Sequence, residues 1–328
     1  MFLDLSIVEG KHFHKEYLWQ YLFEQYLKDN DSLIDITPEA VCLSTSGVYT
    51  VIHNFCQLTG YDARRITIKT GNMIEGHNKC KIILDGASWY EVNDIRTYQR
   101  THTHTPTQNP SKTFGCFVSR NHWTRLWIAT YLDTYHSDRT IMSYHYNTEE
   151  NNFDLDDYVG IDDLLRHDCP MSMIAQDFLL RCPKTLDTVD EYPIQNPKSL
   201  NLLKYYNDIF VDIVNETTVS GNSFLVTEKL WRSIMAHRPF IVMAPQNYIS
   251  NLHKLGFQTF NDYWSEDYDR VELTDRINEI IPVIEEIATW DRNKQSQTLN
   301  DMQEILTHNY NQLRMLSYQQ IEKTFNEG

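Results

Sequence analysis

Apolar positions in the first third of the chain alternate between helical and strand spacing. Residues 12–28 carry apolar side chains at helical intervals, and a second helical pattern covers 48–58 and stops at Gly60. Short apolar runs at 66–68 and 80–84 are typical of strands. Strands that alternate with helices favour a parallel sheet with helical crossovers, so an α/β fold is predicted here.

The same alternation resumes after a polar, proline-containing stretch at 100–112, which we interpret as a linker. The predicted elements of this second part are the strands 113–118, 140–143, 209–214 and 240–244 and the helices 123–135 and 230–236. Residues 148–168 are rich in acids and are predicted to form a solvated, partly irregular insertion. Helical spacing of apolar residues fills the last 55 residues, which predicts a helical tail.

These patterns predict two α/β halves followed by helices. The predicted boundaries are 1–105 for the first domain, 106–270 for the second and 271–328 for the helical tail. A cleft between two such halves is a natural ligand site.

Composition and charge narrow the classes of function. The chain has 328 residues and a formal net charge of -16, and such an acidic surface excludes a general nucleic-acid coat. Its six cysteines form no C-x-x-C pair, which favours reduced thiols. Neither a leader peptide nor a long apolar run is evident, so a cytoplasmic protein without a membrane span is expected. The chain contains neither a G-x-G-x-x-G dinucleotide-binding motif nor a Walker lysine motif. Dinucleotide-dependent oxidoreductases and P-loop NTPases are therefore disfavoured.

The sharpest local signal is the sequence VTEKLW, which begins at Val226. Thr227 fits as an N-cap, so Glu228 and Lys229 become the first residues of a helix. A lysine there opposes the helix dipole by up to ~1 kcal/mol, and a phosphate bound at the helix start removes that conflict. A solvated lysine in an ordinary first turn is the alternative interpretation.

Two further signals follow predicted strands. Ser119, Arg120 and Arg125 come after the strand at 113–118, where the carboxyl end of a parallel strand meets ligands. Arg125 offers the planar fork that binds phosphates. Glu216 comes after another predicted strand and could accept a sugar or ribose hydroxyl. A surface arginine and an ordinary loop acid are the competing interpretations.

Two of these stretches resemble a known enzyme family. The sequence FGCFVSRNHWTRLWIATYL at 114–132 resembles the start of the donor domain of alpha-1,3-fucosyltransferases. The sequence from 210 to 242, which contains NETTVSGNSFLVTEKLW, resembles the signature of that family. The segment LGFQTFNDYWSEDYDRV at 255–271 is similar to glycosyltransferase-like proteins encoded by phages.

The resemblance implies the GT-B architecture, in which two Rossmann-like domains flank a cleft, with inverting chemistry and no essential metal or cofactor beyond the nucleotide-sugar substrate. It implies that Glu228 binds the ribose, that Lys229 and Arg125 bind the pyrophosphate, and that Glu216 is the acid of the family's Phe-Glu-Asn motif. The predicted donor-binding residues are Ser119, Arg120, Arg125, Glu216, Thr227, Glu228 and Lys229.

The chain departs from the family pattern in three places. Leu225 stands where the family has tyrosine, and Thr217 stands where it has asparagine. The loop between Glu216 and Glu228 is slightly longer than in the family. These departures leave undecided which sugar the donor carries and which residue is the catalytic base.

Inverting transfer requires a general base near the acceptor hydroxyl. The stretch from 66 to 75 resembles the family's strand and Thr-Gly turn, which carries the proposed base of that family. Glu75 is therefore the candidate catalytic base, and Glu91 and Asp85 are the next candidates. A plain surface role is the alternative for Glu75.

The predicted function is inverting, metal-independent transfer of a hexose or pentose from a nucleotide-diphosphate sugar to a hydroxyl. The acceptor is a carbohydrate or a hydroxymethylated base in phage DNA. Residues 96–139 hold six Lys or Arg against two acids, which allows a local basic groove. A non-catalytic nucleotide-sugar-binding protein is one alternative, and a metal-dependent transferase that uses Asp154 and Asp156 is another. The oligomeric state is not readable from the sequence.

Overall fold

Parallel sheets and helices make up the chain in the computed structural model, which describes residues 3–5, 15–31, 33–38, 43, 47–74, 79–84, 106–118, 122–145, 159–166, 168–186 and 202–326. The strands are β1 (Leu3–Leu5), β2 (Ile34–Pro38), β3 (Ile66–Thr70), β4 (Lys81–Leu84), β5 (Lys112–Val118), β6 (Thr140–Tyr144), β7 (Ile209–Asn215) and β8 (Phe240–Met243). The helices are α1 (Lys15–Lys28), α2 (Val48–Thr59), α3 (Trp123–Tyr135), α4 (Val159–Arg166), α5 (Ser172–Leu179), α6 (Leu203–Tyr206), α7 (Glu228–Met235), α8 (Tyr248–Lys254), α9 (Leu273–Ala288), α10 (Arg292–Asp301), α11 (Gln303–Met315) and α12 (Tyr318–Asn326). The predicted α/β class is confirmed.

The first sheet has the order β1-β2-β3-β4, and its neighbouring strands are parallel. Ile34 pairs with Ile66 and Ile36 with Ile68, and all four side chains are buried in the core beneath α1 and α2. α2 ends at Gly60, whose φ of 71° is a left-handed conformation that glycine adopts without a steric penalty. The predicted helices and the strands β3 and β4 are confirmed, whereas β2 was not among the predicted elements.

The second sheet has the order β6-β5-β7-β8 and is also parallel. Every residue of β7 is buried, as a strand covered on both faces requires. The chain passes from β5 through α3 to β6 on one side, and from β7 through α7 to β8 on the other. The two connections therefore diverge from the central pair β5 and β7.

One departure from the predicted elements concerns a helix. α4 lies within the stretch predicted as a solvated, partly irregular acidic insertion, and for these residues the prediction is wrong. Ile161 and Leu164 are three residues apart and therefore lie on the same face of the helix. Leu164 is fully buried, so this face packs against the protein interior. Residues 148–158 lie outside the described residues. The helical tail predicted after residue 271 is confirmed in α9 to α12.

The chain folds into two compact units, each assembled from separated segments. The first unit combines Met1–Tyr90, Thr217–Leu225 and Ser317–Gly328, and it contains the first sheet and α12. The second unit combines Glu91–Glu216 and Val226–Leu316 and contains the second sheet. Among the described helices, none combines the length and apolar character that a membrane crossing needs.

Candidate functional site

The carboxyl ends of β5 and β7 bring together those residues singled out from the sequence in the second unit that the structure describes. These two strands are parallel neighbours, so their carboxyl ends lie at the same edge of the sheet. Open α/β sheets bind ligands at this edge, at the point where the connections diverge. Arg125 is in the first turn of α3, and its Nη2 donates to the backbone carbonyl of Glu216, at 2.7 Å.

The carboxylate of Glu216 is fully buried and is held by two side chains of its own unit. Its Oε1 accepts from the backbone N–H of Thr227 at 3.2 Å and from the hydroxyl of Tyr248 at 2.8 Å. Its Oε2 accepts from the Thr227 hydroxyl at 2.6 Å. Glu216 therefore fastens the end of β7 to the starts of α7 and α8.

Thr227 is the N-cap of α7, as predicted. Its backbone is extended, and its Oγ1 accepts from the backbone N–H of Lys229 at 3.4 Å. The same oxygen accepts from Lys229 Nζ at 3.2 Å. An N-cap side chain of this kind satisfies one of the unpaired donors at a helix start. Glu228 and Lys229 are consequently the first two residues of the helix.

Glu228 and Lys229 form a close ion pair in the first turn of α7. Lys229 Nζ lies 3.0 Å from Glu228 Oε1, and the two side chains are 12% and 14% exposed respectively. This low exposure does not fit the alternative of a solvated lysine. Burial raises the pKa of Glu228, but the charges of Lys229 and Arg232 outweigh burial and bring that pKa to about 2. Glu228 is therefore an anion, able only to accept hydrogen bonds.

Arg232 lies one turn further along α7, and sequence patterns did not single it out. Its side chain is buried, 3% exposed, and faces Asp212 in β7. Asp212 Oδ2 accepts from the hydroxyls of Ser233 at 2.6 Å and Tyr206 at 2.8 Å. Burial raises the pKa of Asp212 to about 6, although these hydrogen bonds and the charge of Arg232 lower it. A helix position occupied by arginine is usually solvent-facing, so nothing in the sequence marked it.

The start of α3 carries a second capping side chain, His122. Its Nδ1 lies 2.8 Å from the Thr124 hydroxyl and accepts from the Thr124 backbone N–H at 3.4 Å. Burial, together with the charge of the neighbouring Arg125, lowers the pKa of His122 to about 3. The imidazole is therefore neutral at physiological pH, and Arg125, itself buried, carries the positive charge.

Several predicted residues lie outside the described part of the chain. These are Ser119 and Arg120, the candidate base Glu75 with its substitutes Asp85 and Glu91, and the candidate metal ligands Asp154 and Asp156. Their roles stay predictions. Among the described residues, no group of three or more His, Cys, Asp or Glu side chains is arranged to hold a metal ion.

A cavity of about 550 Å³ lies on the first unit, against α2. Its lining includes Tyr49, His53, Tyr61 and Lys79. Residues 61 and 79 come just before β3 and β4, so the cavity is near the amino ends of these strands. That edge is opposite to the one where parallel sheets bind ligands.

Comparison of the chain with protein-family models, with curated proteins and with solved structures finds no significant match.

Proposed function

We propose that this chain is a glycosyltransferase of GT-B architecture that binds a nucleotide-diphosphate sugar at the carboxyl edge of its second sheet. The observation that carries the proposal is the largely buried Glu228–Lys229 pair in the first turn of α7. A helix start directed at a ligand, with a lysine beside it, suits a diphosphate. The resemblance to alpha-1,3-fucosyltransferases assigns the same two residues to the ribose and the pyrophosphate.

Donor binding requires an exchange of partners, because Lys229 is already paired with Glu228. The diphosphate attracts the Lys229 ammonium, and the positive end of the α7 dipole favours its charge. Glu228 then accepts hydrogen bonds from the ribose hydroxyls, for which its low pKa keeps it ionised. The N-cap Thr227 stays bonded to Glu216, so the first turn of the helix keeps its geometry.

Arg125 supplies the second cation of the proposed site. The bond from its Nη2 to the Glu216 carbonyl fixes the plane of the guanidinium. A guanidinium in a fixed orientation binds phosphate oxygens with geometric specificity. In this assignment Glu216 acts on the donor indirectly, since it holds Arg125 through its carbonyl and Thr227 through its carboxylate.

The transfer itself is a substitution at the anomeric carbon. The acceptor oxygen forms a bond to that carbon while the bond to the diphosphate oxygen breaks, and the acceptor proton passes to a base. Glu75 is the proposed base, and the nucleoside diphosphate leaves with the electron pair. Negative charge develops on the leaving phosphate, where Lys229 and Arg125 stabilise it.

A thermal-shift screen tests the donor site. The wild-type chain and Lys229→Ala are scanned with UDP, GDP, ADP, CMP and their sugar conjugates, each with and without a chelator. Binding of a ligand to the folded state raises the melting midpoint of the protein by mass action. We expect one nucleotide family to raise it, and Lys229→Ala to weaken that binding by about 10- to 100-fold because a charge-assisted contact is lost.

Lys254→Ala is the matched control. Lys254 is an exposed lysine of α8 whose Nζ bonds to Asn251, and its removal should leave nucleotide binding unchanged. Equal binding by Lys229→Ala and wild type would contradict the donor assignment. A shift lost on chelation would favour the metal-dependent alternative with Asp154 and Asp156. Binding without any transfer or donor hydrolysis would favour the non-catalytic alternative.

A further inference from the structure

Asn215 is the last residue of β7, and one polar atom of its buried side chain has no partner. The residue is 2% exposed. Its Nδ2 donates to the Ile213 backbone carbonyl at 3.2 Å and to Cys116 Sγ at 3.8 Å. Its Oδ1 accepts no hydrogen bond from any residue that the structure describes. The bond to a carbonyl identifies the amide nitrogen, so the unpaired atom is the oxygen.

The unpaired oxygen of Asn215 destabilises the folded chain. Buried polar groups are almost always hydrogen-bonded, and each exception needs a specific explanation. This exception lies at the carboxyl end of a strand, which is where open α/β sheets bind their ligands. An acceptor without a partner at that position indicates that a ligand supplies the donor.

Asn215 points to the side of the second sheet that α3 covers. Successive side chains of a strand point to opposite faces. Asp212 of the same strand bonds to Ser233 of α7, so Asn215, three positions further, points away from α7. The connections through α3 and α7 diverge from β5 and β7, and right-handed crossovers place these two helices on opposite faces. The Asn215 amide therefore lies at the carboxyl edge of the sheet, on the α3 side.

Arg125 lies at the same edge and on the same side. It is in the first turn of α3, and its Nη2 donates to the carbonyl of Glu216, the residue that follows Asn215. Glu228 and Lys229 begin α7, which covers the other face. A diphosphate that contacts Lys229 and Arg125 consequently spans the edge from the α7 side to the α3 side.

The order of groups in a nucleotide sugar decides which of them meets Asn215. The diphosphate carries the ribose at one end and the sugar at the other. Glu228 is assigned to the ribose on the α7 side, so the sugar lies on the α3 side, beyond Arg125. Phosphate oxygens and Asn215 Oδ1 are all acceptors, so they do not bind each other. A sugar hydroxyl is a donor and suits this oxygen.

We propose that Asn215 Oδ1 accepts a hydrogen bond from a hydroxyl group of the transferred sugar, so that Asn215 recognises the sugar part of the donor. This inference rests on the proposed donor site and deepens it. Because the oxygen is enclosed, the contact forms with a local rearrangement of the edge when the sugar enters. A nucleoside diphosphate has no hydroxyl at this position and leaves the oxygen unpaired.

Isothermal titration with and without the sugar tests this role. The probes are UDP, GDP and ADP, together with UDP-glucose, GDP-mannose and ADP-glucose, and the conjugate that binds most tightly is compared with its own nucleoside diphosphate. We expect Asn215→Val to weaken binding of the conjugate by about 5- to 10-fold, because one hydrogen bond to the sugar is lost. Affinity for the nucleoside diphosphate should change by less than about twofold.

Stability measurements separate ligand binding from a structural role. Asn215→Val removes an unpaired buried acceptor and introduces a residue that suits a strand, so its melting midpoint should equal or exceed that of wild type. Asn215→Thr has a side-chain oxygen that can accept, and it should recover part of the affinity for the conjugate.

Asn309→Val is the matched control. Asn309 is as buried as Asn215, but its Oδ1 and Nδ2 both bond to the backbone of Gln258. We expect Asn309→Val to lower the melting midpoint and to leave both affinities unchanged.

The contrary outcomes are distinct from one another. Equal weakening of the conjugate and the nucleoside diphosphate by Asn215→Val would overturn the assignment to the sugar. Unchanged binding of both would assign the oxygen to a buried water molecule. A wild type that binds no conjugate more tightly than its nucleoside diphosphate would show that the sugar meets no such contact. Absence of binding of every probe by the wild type would instead remove the proposed function, and this inference with it. Should Asn215→Val fail to fold, Asn215→Ala carries the same comparison.

Discussion

Replacing Glu216 by alanine removes the group that joins three elements at the end of β7. The substitution orphans three buried donors, namely the backbone N–H and hydroxyl of Thr227 and the hydroxyl of Tyr248. Each orphaned donor costs about 1–3 kcal/mol. Three such costs sum to about 3–9 kcal/mol. Removal of the buried carboxylate also removes its own desolvation cost, which offsets part of that sum. We therefore expect the free energy of unfolding to fall by about 3–6 kcal/mol, near the upper end for a single substitution. For a unit of this size that corresponds to a melting midpoint lower by roughly 6–24 °C.

Urea unfolding followed by circular dichroism measures this loss, and Tyr248→Phe tests its cause. On its own, Tyr248→Phe removes one hydrogen bond to a carboxylate and should cost about 1.5–3 kcal/mol. In the Glu216→Ala background it removes a hydroxyl whose bond to Glu216 is already gone, so it should cost nothing or restore some stability. Glu279→Ala, at an exposed position of α9, is the control for loss of an acid and should change little.

Two results would refute this reasoning. Additive costs of Glu216→Ala and Tyr248→Phe would show that the two side chains do not act on each other. A loss below about 1 kcal/mol for Glu216→Ala would show that water replaces the carboxylate at little cost. Retention of nucleotide affinity by a folded Glu216→Ala variant would separately show that the start of α7 keeps its geometry without this residue.

Two other positions give sharp expectations. Burial raises the pKa of Glu266 to about 7, so the folded chain holds this proton more tightly than the unfolded one. Stability should therefore fall by about 3 kcal/mol as pH rises from about 4.5 to 7, and Glu266→Gln should remove that slope in urea unfolding; an unchanged slope would contradict the assignment. Asn72 Oδ1 accepts from the Phe224 backbone N–H at 2.8 Å, so Asn72→Ala should cost about 1–3 kcal/mol and speed proteolysis within 217–225. Asn72→Asp keeps an acceptor and should cost less. Equal rates of proteolysis for wild type, Asn72→Ala and Asn72→Asp would contradict the idea that Asn72 holds this segment in place.

The second sheet and its site could be predicted because hydrophobic pattern and chemistry agree there. β5, β7 and β8 are buried on both faces, so they appear as continuous apolar runs. Thr227 was recognised from capping preference alone, since an N-cap needs only one side chain and the following turn. Glu228 and Lys229 followed from the N-cap.

The contacts that hold this site together could not be predicted in the same way. Tyr248 reaches Glu216 from a different element, 32 residues further along the chain. Arg232 was missed because its burial depends on Asp212 in the strand beneath it, and a local pattern contains no information about that pairing. β2 was missed because a five-residue strand with a polar Asp35 and a terminal Pro38 has little hydrophobic signal.

The composition of the first unit has a consequence for synthesis on the ribosome. Two of its three segments, Thr217–Leu225 and Ser317–Gly328, emerge long after Met1–Tyr90. Phe224 packs against Phe325 with ring centroids 5.4 Å apart, and Ile321 is buried, so this core closes only when α12 has been made. Domains usually complete their folding in order from the amino terminus. Here the order is reversed: Met1–Tyr90 is translated before the second unit but belongs to the unit that is completed after it, and a chain cut before α12 leaves that unit with an open apolar core.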